Sequence, residues 1–121
     1  MEKTLDKQMD KEMLDRVQVV TMLYDGAANF TRIARKKLET GDMSGKSFHI
    51  SKASAIIKEL SNSLNMDGGE ISQNLKKLYD FVLTSYGKAE ANNDVKSLDD
   101  AEKIIEILSG AWKEMQQSEK F

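Results

Sequence analysis

The chain has 121 residues, 18 Lys and Arg against 20 Asp and Glu, and a formal net charge of -2, a length that suits one domain with one core. With 40% hydrophobic and 31% charged residues it is too rich in apolar side chains for a disordered tail. The absence of Pro and the 7% aromatic content argue against a sandwich or barrel, and zero Cys excludes disulfides, thiolate metal sites and Cys nucleophiles.

Residues 1–14 form the first segment, in which Met1, Leu5, Met9 and Met13 fall four apart among alternating acids and lysines. This pattern predicts an amphipathic extension, either a detachable cap or a prolongation of helix 1. From Val20 the positions Leu23, Ala27, Phe30 and Ala34 repeat at helical spacing, and Gly41 is placed to stop that helix in a left-handed turn. Ser44 is the expected cap of helix 2, whose stripe runs Ile50, Ala53, Ile57, Leu60, Leu64. Asn65-Met66-Asp67-Gly68-Gly69 breaks the chain, with Glu70 an acid in the first turn of helix 3. Helix 3 follows with Ile71, Leu75, Leu78, Val82 and Ala89. After Asn92-Asn93-Asp94, capped by Asp94 or Ser97, helix 4 carries Leu98, Ala101, Ile105, Leu108, Trp112 and Met115 at steps of three and four.

Helices of roughly 20 residues joined by short connections must alternate in direction. The expected fold is therefore all-α: an antiparallel up-down-up-down four-helix bundle over residues 15–117, with the amphipathic segment 1–14 before it and a tail at 118–121.

Chemistry is sparse. The single His49 excludes a two-metal carboxylate centre, which needs a Glu-x-x-His from each of two helices, and Asp67-Gly68-Gly69-Glu70 lacks the alternating oxygen ligands of a calcium loop. No phosphate loop, dinucleotide fingerprint or Gly-x-Ser-x-Gly elbow occurs. The expectation is a protein that is not an enzyme, without cofactor, metal or small-molecule substrate. Lys and Arg interleave with acids, which argues against nucleic acid. No apolar stretch approaches the roughly 18 residues of a membrane span, and no signal segment is present, so the expected location is the cytoplasm. Gly26, Gly87 and Gly110 lie inside predicted helices, each costing on the order of 1 kcal/mol against Ala, and suggest close helix approach or an open groove. Ile56, Ile71, Tyr79, Leu83, Tyr86, Ile104 and Ile107 lie beside the stripes, as expected either of a surface that receives a partner helix or of a wide core face.

Particular strings sharpen this. Met22-Leu23-Tyr24-Asp25-Gly26-Ala27, Glu59-Leu60-Ser61-Asn62-Ser63-Leu64-Asn65, Gly68-Gly69-Glu70-Ile71-Ser72-Gln73-Asn74-Leu75-Lys76-Lys77-Leu78-Tyr79-Asp80-Phe81, Ala91-Asn92-Asn93-Asp94 and Ala111-Trp112 resemble, in order and spacing, the FliS family of flagellar export chaperones over about Val17 to Met115. The resemblance implies a four-helix chaperone that binds the disordered C-terminal segment of flagellin, prevents premature polymerisation and assists type III export. The export gate and other flagellar regulators are further partners it allows. The chain departs from the family at the start of helix 1, where Met13-Leu14-Asp15-Arg16 replaces a Thr-x-Ser-Pro-like start. Asp15 can cap there, or helix 1 can begin earlier and absorb the arm. Candidate partner-binding residues are Met9, Met13, Ile56, Ile71, Leu75, Leu78, Tyr79, Val82 and Tyr86. The competing expectation is a structural four-helix module that self-associates through the same stripe.

Overall fold

A computed structural model describes the backbone of residues 2–118 and the side chains of residues 15–117. The elements are α1 (Glu2–Glu39), α2 (Met43–Asn62), a 3-10 turn (Met66–Gly68), α3 (Glu70–Asn92) and α4 (Val95–Ser118). Helix α1 passes through Asp15 without a break, so Asp15 is an interior helical residue and not a cap, and the backbone of residues 2–14 is continuous with α1. The side chains of Met9 and Met13 lie outside the described residues.

The tight connections are written in a few polar groups. Gly41, at φ 81°, turns α1 off in the left-handed region. The Asp42 N–H then reaches back to the Lys37 carbonyl at 2.8 Å and the Gly41 N–H to Leu38 at 3.2 Å, the paired bonds of a Schellman end. Asp42 also caps α2, its carboxylate accepting from the Gly45 N–H at 2.9 Å. The expected cap, Ser44, sits inside the first turn, because Asp42 is the last residue whose backbone is still outside the helix. At the other short turn Asn93 takes φ 54° to end α3. Asp94 accepts from the Lys96 N–H at 3.1 Å and from the Ser97 hydroxyl at 2.7 Å, so Asp94 opens α4 with Ser97 as its partner. These bonds, that of Ser97 foremost, hold the Asp94 carboxyl below the usual range.

The four helices close a square in which α1 packs against α2 and α4, and α3 packs against the same two. Ala27, Ala34, Ala53, Ala89 and Ala101 are fully buried with Ile57, Val82, Leu98 and Ile105. Alanines at the centre let the backbones approach, and the branched residues fill the layers between them. At Gly26 a Cβ would stand 3.3 Å from Ile56 Cδ1, so the missing side chain belongs to the close α1–α2 approach, whereas Gly87 and Gly110 face open space.

Two bonds cross the diagonal. Tyr24 and Tyr79 join their hydroxyls at 2.6 Å, and Thr31 and Tyr86 do so at 2.6 Å. Both pairs are separated by 55 residues, and a constant separation means that α1 and α3 run parallel, in register, one heptad apart. Thr31 spends its one hydroxyl hydrogen on the Ala27 carbonyl at 2.7 Å, so Tyr86 is the donor of their bond. The same device recurs on α1, where Thr21 donates to the Val17 carbonyl at 2.9 Å and accepts from Trp112 Nε1 at 2.9 Å. Burial raises the Tyr24 and Tyr79 phenols above their ordinary range and pushes Tyr86 up to about 12, with the Thr31 bond acting in the opposite sense on Tyr86.

Candidate functional site

The two short turns lie at the same end of the bundle, because α1 and α3 run in parallel. That end is locked by polar contacts. Lys46, 4% exposed, threads its ammonium to the Glu90 carbonyl at 3.1 Å and to Asn93 Oδ1 at 2.6 Å, and Ser47 donates to Glu90 Oε1 at 2.6 Å. Lys46 thereby satisfies a carbonyl of the last turn of α3, where the helix dipole also favours a cation.

The opposite end carries the longer connection at Ser63–Gly69 and has another character. Among the exposed large apolar residues, Val19, Met22, Met66, Ile71 and Met115 all fall there, and Ile71 reaches 75% exposure. Ile71 lies on the stripe of α3 that is buried further along at Val82, but it stands in the first turn, beyond the depth at which the neighbouring helices cover that face.

From this open end an apolar strip continues along the α3–α4 seam. The flank of α4 toward α1 is polar: Arg35 pairs with Asp99 at 2.9 Å and with Glu102, Arg32 with Glu102 and Glu106 at 3.7 and 3.6 Å, and Lys113 with Asp25 at 3.0 Å. The opposite flank, reached by steps of three, four and seven, carries Ile104, Leu108 and Met115. On α3, Glu90 and Asn93 mark the flank toward α2, which places Leu78 and Phe81 on the flank toward α4. Leu78, Ile104 and Leu108 are half-buried, Phe81 and Met115 are about half exposed, and Ile107 stands further out at 67%. Among the described residues no ion pair crosses from α3 to α4. The strip is therefore a shallow apolar groove with sparse electrostatic demands, suited to the apolar face of an amphipathic helix.

Of the residues singled out from sequence, Ile71, Leu75 and Leu78 line this end and seam, Leu75 half-buried. Ile56 is half-buried on the other side of the bundle, against Gly26. Tyr79, Val82 and Tyr86 are 2%, 0% and 1% exposed and belong to the core, not to an accessible surface. The Tyr79 and Tyr86 hydroxyls are met across the core by Tyr24 and Thr31, and Val82 lies on the buried stripe of α3. Phe81, Ile104, Ile107 and Met115 complete the strip.

Other features have local explanations. His49 is half-buried between Phe30 and Phe48, with Nδ1 at 2.7 Å from the Gly45 carbonyl. An open cleft of about 340 Å³ between α1 and α4 is lined by Asp25, Arg32, Glu106 and Lys113, whose charges pair with one another across it. Among the described residues no group of His, Cys, Asp and Glu is arranged to hold a metal ion, and no helix is long and apolar enough to cross a membrane.

The family described as "Flagellar protein FliS" matches residues 2–119. The chain is 35% identical over 106 residues to the flagellar secretion chaperone FliS of Salmonella typhimurium, covering 86% of this chain and 78% of that protein. It is 33% identical over 103 residues to the flagellar secretion chaperone FliS of Bacillus subtilis, covering 85% and 77%. It is 35% identical over 96 residues to that of Vibrio cholerae, covering 78% and 71%.

Proposed function

The chain belongs to the FliS family, and on that premise we propose that it is a flagellar export chaperone whose client is the disordered C-terminal segment of flagellin. The observation that carries this is the apolar strip of Ile71, Leu78, Phe81, Ile104, Ile107 and Met115, in which Ile71, Phe81, Ile107 and Met115 are exposed to water and Leu78 and Ile104 are half-buried. A segment that is disordered alone and helical when assembled can lay its apolar face along the α3–α4 seam. Covering that face removes the surface through which flagellin subunits polymerise, and the client stays extended enough for export. The interaction is stoichiometric and reversible, and the chain acts in the cytoplasm without cofactor or bond-making chemistry.

Isothermal titration against full-length and C-terminally truncated flagellin tests this. The full-length client binds with a negative heat-capacity change, because apolar surface is buried and the segment orders on the strip. Absence of binding up to about 100 μM contradicts the proposal, since a useful complex must outweigh the ordering entropy. Self-association of the chaperone through the same strip, read as a dimer by sedimentation and undisturbed by flagellin, would support the structural-module alternative instead.

A further inference from the structure

The methionines are distributed against habit. The core is built from Ala, Ile, Leu, Val and Tyr and contains no Met among the described residues. Every Met whose side chain is described is exposed: Met22 at 71%, Met115 at 52%, Met66 at 47% and Met43 at 38%. Three of these, on α1, the 3-10 turn and α4, surround the open end, and Met115 lies on the apolar strip. A thioether is polarisable and adaptable, which suits a shallow contact with a flexible client. It is also the side chain that a peroxide converts most readily here, because the chain has no Cys to compete.

We propose that Met22, Met66 and Met115 make client binding sensitive to oxidation, so that a peroxide switches the open end from apolar to polar while the bundle stays folded. This rests on the client-binding role proposed above. In the step itself a sulfur lone pair attacks one peroxide oxygen, the S–O bond forms as the O–O bond breaks, and the departing hydroxide takes the proton from the attacked oxygen and leaves as water. Sulfur loses two electrons and the peroxide gains them. The sulfoxide adds a strong dipole and a hydrogen-bond acceptor where the client would place an apolar side chain, so the contact loses its hydrophobic gain and must desolvate a polar group. Folding is spared because, among the described residues, the buried layers contain no sulfur to oxidise.

The test treats the full-length chaperone with hydrogen peroxide, removes the reagent, and titrates a flagellin C-terminal segment that has not been exposed to it. The expected result is conversion of Met22, Met66 and Met115 by peptide mass spectrometry, an unchanged helical spectrum and thermal midpoint, and roughly tenfold weaker binding. Methionine sulfoxide reductases should restore the affinity. The M22L/M66L/M115L variant, similar in volume and inert to peroxide, is compared with its own untreated affinity, whatever that value is, and should lose nothing on treatment. Unchanged affinity of the oxidised wild type overturns the inference and leaves the client role standing. Equal loss in the Leu variant overturns it too, by assigning the effect to the other methionines, and failure of the untreated chain to bind overturns both.

Discussion

The two ends of this bundle are made of the same four helices and solve opposite problems. At the end of the short turns, polar groups have designated partners: Asp42 serves the ends of both α1 and α2, Asp94 opens α4, and the buried Lys46 ammonium ties the start of α2 to the last turn of α3. At the other end the helices outrun one another, and Ile71, Met66 and Met115 face water. Polar groups with fixed partners give specificity of fold, whereas apolar surface left in water is a standing free-energy gain for whatever covers it. Stability is therefore concentrated at one end and affinity at the other.

The comparison breaks most visibly at Lys46. Lys46→Ala leaves the Glu90 carbonyl and Asn93 Oδ1 without their donor in a nearly closed site, at a cost of about 2–3 kcal/mol in urea unfolding, with flagellin affinity unchanged once the protein is folded. The open end gives the reverse. Ile71→Asp combined with Phe81→Asp should cost only about 1 kcal/mol of folding stability, because Ile71 is mostly and Phe81 about half in water already, yet weaken client binding by at least about 20-fold.

Alkaline pH probes the diagonal that joins the two ends. Tyr86 titrates near 12 when folded and near 10 when unfolded, so its contribution is complete below pH 10 and is lost as pH rises toward 12. Stability should fall by about 1 kcal/mol per pH unit for Tyr86 in that window, more with Tyr24 and Tyr79 added, and Tyr86→Phe should flatten the slope. At the smallest scale, Asn93→Gly keeps the left-handed turn and loses only the Lys46 bond, at about 1 kcal/mol, while Asn93→Ala loses both and should cost about 1 kcal/mol more. Equal effects of the two substitutions would show that the backbone at Asn93 is not under strain.

The fold was legible where periodicity carries information. Ile50, Ala53, Ile57 and Leu60 on α2, and Leu98, Ala101 and Ile105 on α4, are buried as their spacing predicts. The caps were half legible: Asp94 was named, but Ser44 was preferred to Asp42 because both are good caps and only the backbone decides where the helix starts. The tyrosines were not legible. Tyr24, Tyr79 and Tyr86 are buried because hydroxyls on a diagonal partner meet them, and pairings 55 residues apart leave no trace in a local pattern. The same limit shaped the site. Ile71, Leu75 and Leu78 could be read as candidates and Ile104 and Ile107 as surplus apolar residues, whereas the strip is completed by Phe81 and Met115, whose exposure depends on which flank the neighbouring helix leaves uncovered.

Hydrogen–deuterium exchange of the chaperone with and without the flagellin C-terminal segment tests the central claim most directly, since it reads both ends in one experiment. The account predicts new protection over residues 66–81 and 104–117 and no change over residues 40–48 and 90–97. Protection centred on the short turns, or none along the α3–α4 seam under saturating client, would contradict it.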